Sequence, residues 1–208
     1  MALSQTAGKG QRGKTWHAPP DVNITMSHVI DPGKWRRRPF LLSAATAIAC
    51  HRFLAEFAND NIKIKWPNDL YINDRKAGGI LIENIYHGAE WKWAVIGVGL
   101  NINQTDFPPE LPNAISLKQV TGTHYKIPVM GRRLAAAMKT VVHALGHEDE
   151  SAILQEYHRL LFRNGSEVRL RENNVVFSTV IKGVSAEGEL ITGNVLERRF
   201  RVGEIEWL

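Results

Sequence analysis

Apolar positions along the chain follow two different periods, and the change from one to the other outlines the fold. Val22 to Ile30 alternates and is rich in β-branched residues, which predicts a strand closed by the turn Asp31-Pro32-Gly33. From Phe40 to Phe57 the residues Leu41, Leu42, Ala45, Ile48, Ala49, Phe53 and Leu54 recur near the helical period, which predicts a long core helix. Leu70-Tyr71-Ile72 and Ile80-Leu81-Ile82 read as short strands joined by the polar turn Asn73-Asp74. Trp91 to Leu100 is a further strand. Ala114 to Leu117 leads into a short helix, with Ser116 at its N-cap. Gly131 to Leu145 and Ser151 to Phe162 predict two more helices, the second turning Ile153, Leu154, Tyr157, Leu160 and Leu161 inward. After Phe162-Arg163-Asn164-Gly165 the pattern is strand-like throughout, at Glu167–Arg171, Val175–Val184, Glu189–Thr192 and Arg198–Val202. The expectation is an α/β (α+β) domain over residues 1–163, a mixed β-sheet with helices packed on it. A small β-barrel follows over 164–208, too short to bury much core alone.

Composition refines this picture only slightly. The 208 residues are 44% hydrophobic and 23% charged, which is globular material. The net charge of +5 favours anionic partners. The excess is not gathered into a tail, so no nucleic acid is expected, and the cluster Lys34, Arg36, Arg37 and Arg38 reads as a solvated loop. The single cysteine, Cys50, rules out an intrachain disulfide and fits a reducing compartment. No signal-peptide pattern and no apolar run of membrane-spanning length is evident, so a cytoplasmic location without a membrane partner is expected.

Candidate chemistry lies in two polar stretches. Gly8-Lys9-Gly10-Gln11-Arg12-Gly13-Lys14-Thr15 matches both G-x-x-x-x-G-K-[ST] and G-x-G-x-x-G. Both motifs need a helix immediately after the loop, whose N-terminus holds phosphate. Trp16-His17-Ala18-Pro19-Pro20 follows instead, and consecutive prolines do not let a helix run on from the loop. The loop is therefore read as a flexible cationic flap that closes over an anionic ligand. The second stretch, Lys65 to Glu83, brings Asn68, Asp69 and Lys76 to one hairpin beside Gly78 and Gly79, where backbone can approach a ligand closely. His143 and His147 have metal-like spacing but no third ligand at a supporting distance, so they read as a solvated helix end.

Lys65-Trp66-Pro67-Asn68-Asp69, followed by Arg75-Lys76-x-x-Gly79-Ile80-Leu81-x-Glu83, resembles the signature of the biotin protein ligases. The resemblance implies ATP and Mg²⁺ as cofactors and biotin as substrate. It places Lys76 at the biotin carboxylate and the forming phosphate, with Asn68 and Asp69 on the nucleotide and Mg²⁺ side; Asp69 is the tentative metal ligand. Gly78, Gly79 and Ile80 belong to the same ligand-facing segment. Gln5 through Gly10, then Arg12-Gly13-x-x-Trp16, is similar to that family's ligand-binding loop, which makes Gln5, Gly8, Lys9, Gly10, Gln11, Arg12, Gly13 and Trp16 binding candidates. Lys9 and Gln11 stand where Arg is usual; Lys keeps the charge without the planar fork, and Gln loses it. Gly97, Gly99 and Asn101 match a Gly-x-Gly-x-Asn segment that lines the biotin and adenine pockets.

The implied activity activates biotin to biotinyl-5'-AMP and transfers it to a lysine of a biotin carboxyl carrier protein of a biotin-dependent carboxylase. Lys76, Lys9 and Asp69 are the catalytic candidates, and the terminal unit is expected to be SH3-like. A homodimer is left open. Family catalytic domains carry, before the Gly-rich loop, a strand, a helix and a Ser-Thr-Asn motif, and many carry a DNA-binding domain further upstream. None of these is in this sequence, so an N-terminally incomplete catalytic domain is expected. The rival readings are a lipoate ligase or octanoyltransferase, and a fragment that binds biotin or a carrier protein without turnover.

Overall fold

The computed structural model describes residues 1–58, 61–194 and 196–208. The first sheet is built from β1 (Ile24–Ile30), β2 (Ile62–Lys65), β3 (Asp69–Ile72), β4 (Arg75–His87) and β5 (Glu90–Leu100). Its order is β1-β5-β4-β3-β2. Four helices belong to this unit: α1 (Pro39–Ala58), α2 (Leu117–Thr121), α3 (Ile127–Leu145) and α4 (Glu150–Leu160). The second sheet holds β6 (Glu167–Glu172), β7 (Val175–Val184), β8 (Leu190–Gly193), β9 (Glu197–Phe200) and β10 (Glu206–Trp207), in the order β10-β6-β7-β8-β9.

The α+β class and the two-sheet plan agree with the expectation. The first sheet differs in detail, because every ladder between its named strands is antiparallel rather than mixed. The cause is connection length. β2 to β5 follow one another through short turns, and strands joined by a short turn can pair only antiparallel. Among the described residues, parallel pairing is confined to isolated bridges such as Ile64 with Leu161.

Ser116 caps α2 as the sequence suggests: its hydroxyl accepts from the Gln119 N–H while the Gln119 side chain accepts from the Ser116 N–H. α3 begins at Ile127, earlier than expected, because Pro128 is tolerated in a first turn that needs no N–H there. β2 and β10 are too short to show a period.

α1 carries the core. Leu41, Leu42, Ile48, Phe53 and Leu54 are buried along it, and it packs on α3, α4 and strands β2 to β4. Its 20 residues are long and apolar enough to cross a membrane by length and composition, contrary to the expectation that no such run exists. Its burial between helices and sheet makes it a core helix. Cys50 is fully buried within it, and desolvation pushes the thiol up to about 12, which keeps it protonated and unreactive.

His51, also on α1, ties the helix to the edge strand that bears Lys65. Its Nε2–H donates to the Ile62 carbonyl at 3.1 Å, and Nδ1 is buried without a partner. Burial, the largest cause, lowers its pKa despite the bond to Ile62. The folded chain therefore binds fewer protons than the unfolded chain just below the ordinary His value of about 6.5. Stability from this site is complete above that value and declines as pH falls through it, by at most about 1.4 kcal/mol per unit. Denaturant titrations at pH 5 to 8 are expected to show less acid loss for His51→Gln than for the parent; equal slopes would remove His51 as a source.

Candidate functional site

Register places one line of residues straight across the first sheet. Thr25 pairs with Gly99, Gly99 with Gly79, Gly79 with Asp69, and Asp69 with Lys65. Directly paired residues in neighbouring strands present their side chains on the same face. The line thus runs from a neutral hydroxyl, over two glycines with no side chain, to a carboxylate and an ammonium. It forms the floor of a cleft of about 1010 Å³.

The middle of this floor is covered by Trp16. A Cβ added at Gly99 would collide with its indole ring, and one at Gly79 would come within 3.7 Å of it. The indole Nε1–H is buried and has no partner. The loop before Trp16 is a small hairpin. The Trp16 N–H donates to Gly8 at 2.9 Å, and the Gly10 N–H to Lys14 at 2.7 Å. No helix follows, which agrees with rejecting the phosphate-loop motifs. Arg12, in the left-handed region at φ 55°, lays its guanidinium against Gly203, between β9 and β10. The flap therefore leans on the second sheet.

The charged end is tightly connected. Lys76 Nζ lies 2.7 Å from Asp69 Oδ1. The Lys76 backbone is pinned on both sides, its N–H donating to Asn113 and its carbonyl accepting from Ile115. Asn68 clamps the hairpin, its amide donating to the Ile80 carbonyl at 2.6 Å while its own carbonyl accepts the Ile80 N–H at 2.9 Å. Asn101 is buried and gives its amide to Ile115 at 3.2 Å, so it braces the segment behind Lys76 as well as lining the cleft.

Of the residues expected at the site, most line this one cleft. Gln5, Lys9, Gly10, Gln11, Arg12 and Trp16 come from the flap. Asn68, Asp69, Lys76, Gly79 and Ile80 come from the central hairpin, and Gly97, Gly99 and Asn101 from the end of β5. Gly8, Gly13 and Gly78 lie elsewhere. A Cβ at Gly8 would strike the Trp16 carbonyl and the Gln5 side chain, so its smallness closes the flap hairpin. Gly13 faces open space with φ +76°, a conformation that other residues adopt at a cost. Gly78 faces Leu100, on the packed side.

Sequence reasoning missed Lys65 and Tyr71. Lys65 Nζ is 3.2 Å from the Tyr71 hydroxyl, and desolvation lowers the lysine, with Asp69 opposing this and Lys76 reinforcing it. Desolvation, then the Asp69 charge, pushes the Tyr71 phenol up to about 12. The signal was the spacing: Lys65 and Asp69 flank a tight turn at Pro67. The second sheet's share of the wall, including Asn173, Asn174 and Val202 to Trp207, had no local signal. Among the described residues no group of three or more His, Cys, Asp or Glu side chains is placed to hold a metal. His143 and His147 approach each other, with ring centroids 4.8 Å apart, but form no such group. Asp69 is a single carboxylate, and it suits Mg²⁺ only in the manner of ions that arrive with phosphate oxygens and water.

Residues 1–101 match the sequence model of the Biotin/lipoate A/B protein ligase family. The bifunctional ligase/repressor BirA of Bacillus subtilis (strain 168) is 36% identical over 125 residues, which is 59% of this chain and 38% of that protein. The biotin–protein ligase of Homo sapiens is 27% identical over 180 residues, 82% of this chain and 25% of the relative. The match spans under two fifths of the length of the Bacillus relative. In structure, the chain is similar to biotin protein ligase from Aquifex aeolicus in complex with biotin and ATP, with a TM-score of 0.82 and 20% identity over 98% of this chain and 85% of that one. It is also similar to the Leishmania major biotin protein ligase in complex with biotinyl-5-AMP, at a TM-score of 0.64 and 19% identity over 96% and 86% of the two chains. These structural likenesses establish the fold.

Proposed function

We propose that this chain, whose residues 1–101 carry the Biotin/lipoate A/B protein ligase domain, is a biotin–protein ligase that uses ATP. The observation that carries the reading is the line across the sheet: a side-chain-free floor under Trp16 that ends at the paired Lys76 and Asp69. The Trp16 indole packs directly on the two glycines, so a neutral ring system would lie against that indole or displace it as the flap moves. Its carboxylate then reaches Lys76, where adenylation needs positive charge.

In the first step a carboxylate oxygen of biotin attacks the α-phosphorus of ATP. The bond from that phosphorus to the bridging oxygen breaks, and pyrophosphate leaves. Lys76 lowers the repulsion between the two anions and strengthens its hold as charge grows on the phosphoryl oxygens. Lys9, on the flap, adds charge from above. Asp69 orients Lys76 and would hold Mg²⁺, whose chemistry is to neutralise phosphate oxygens. In the second step a lysine amine of a biotin carboxyl carrier domain attacks the carbonyl carbon of biotinyl-AMP. The carbon–oxygen bond breaks, AMP departs with the bonding pair on its phosphate, and the amine proton passes to a base, for which Asp69 is the candidate.

Residues 1–163 are assigned to this catalytic unit and 164–208 to an SH3-like unit that completes the cleft wall. A cytoplasmic location fits the carboxylase partner. The test is isotope exchange between pyrophosphate and ATP with biotin, lipoate or octanoate supplied in turn. Exchange is expected with biotin alone. Exchange with lipoate or octanoate instead would assign the chain to the lipoate branch, and exchange with no acid would refute the reading.

A further inference from the structure

We infer that the acceptor lysine enters through a second groove, on the outer side of the flap, where Asp106 draws in its ammonium. The inference rests on the ligase reading, which supplies the amine, and adds the route by which that amine arrives.

The groove is a separate cavity of about 490 Å³ between the flap and the loop that leaves β5. Gly8, which does not line the cleft, lines this groove, as do Pro108 and Pro109. Its ionisable side chains are Asp106 and His17. Asp106 is exposed, and among the described residues no basic side chain comes within 4 Å of its carboxylate. The loop beneath it is braced. The buried Gln104 amide donates to the Asp106 carbonyl at 2.9 Å and accepts from the Asn23 amide at 2.6 Å. Asn23 Oδ1 in turn accepts the Ile102 N–H at 3.0 Å. An unpaired carboxylate therefore stands on a fixed loop.

Charge separates the two openings. Six basic side chains line the cleft against four carboxylates, and Lys9, Arg12 and Lys14 lie along its flap. That balance draws in a nucleotide and a free carboxylate and opposes an ammonium. The groove carries the opposite sign at Asp106, which suits the cationic side chain of a lysine.

The two cavities share a wall. Gln5, Thr15, Trp16, His17 and Phe107 line both, and Trp16 is the largest of them. The same indole lies on the glycine floor. Its Nε1–H is buried without a partner, so a turn of the ring opens the groove to the cleft without breaking a hydrogen bond of the indole.

The experiment joins the full chain to an unmodified biotin carboxyl carrier domain with a carbodiimide, which links a carboxylate directly to an amine, and locates the link by mass spectrometry. The expected link runs from Asp106 to the acceptor lysine and is lost in Asp106→Asn. In steady-state transfer, Asp106→Asn should raise KM for the carrier domain about 3- to 10-fold with kcat within about twofold, and Asp106→Glu should restore KM. Added salt should raise the parent's KM more than that of Asp106→Asn. A link from the acceptor lysine to Glu83 or Glu204 in the cleft, no link at all, or equal KM in parent and Asp106→Asn would each overturn the route. A link at Asp106 without any transfer of biotin would refute the ligase reading and leave the groove as a lysine-binding site. Biotin-dependent pyrophosphate exchange with the link elsewhere would do the reverse.

Discussion

Lys76→Gln is expected to slow biotin-dependent pyrophosphate exchange by about 10²–10³, the usual cost of removing one preorganised donor from a developing oxyanion. Transfer from pre-made biotinyl-AMP should slow less, because pyrophosphate has already been expelled. Melting temperature should hardly move. The Lys76–Asp69 pair is 2.7 Å long, but its side chains are 37% and 23% exposed, and pairs that wet contribute little to stability. The strand is held instead by its backbone bonds to Asn113 and Ile115. Glutamine keeps length and polarity, so the loss measures charge. Exchange within about threefold of the parent would remove Lys76 from the chemistry.

Gly99→Val is expected to weaken biotin binding strongly while sparing the fold. Gly99 has no left-handed backbone angle, and valine suits an extended strand. What its side chain meets is the Trp16 ring, on the cleft side. Overpacking of this kind costs about 1–3 kcal/mol, which corresponds to roughly 5- to 150-fold in biotin affinity. Gly78→Ala, one residue before Gly79 on the same hairpin strand, should do the reverse. Its Cβ meets Leu100 and the Gly99 carbonyl on the packed side, so the expected result is a lower melting temperature with smaller change in affinity for the folded fraction. Calorimetry and thermal denaturation of both variants separate floor from packing; unchanged biotin affinity in Gly99→Val would show that the ligand does not lie over this glycine.

These contrasts show what was legible beforehand and what was not. α1 was plain because its apolar residues repeat over five turns. The hairpin was plain because the polar turn Asn73-Asp74 lies between two short apolar runs, and both turn residues take positive φ there. The prolines after Trp16 correctly argued against a nucleotide loop that a motif match alone would have accepted. β2 was hidden, since four residues between a helix and Pro67 are too few to show alternation. Lys65 went with it, although the same motif contains it. The different duties of neighbouring glycines were hidden too, because only register tells Gly79 and Gly99 on the floor from Gly78 in the packing. The contribution of the second sheet to the cleft depends on contacts between residues almost two hundred positions apart, such as Arg12 with Gly203.

The central claim is that one cleft activates biotin and passes it to a protein lysine. The most direct measurement incubates the full chain with labelled biotin, ATP and Mg²⁺, together with a biotin carboxyl carrier domain, and looks for label that survives denaturation. Label is expected on the acceptor lysine, absent without ATP and absent when that lysine is replaced by arginine. No covalent label, with biotin bound to the chain all the same, would contradict the account and leave a biotin-binding protein without turnover.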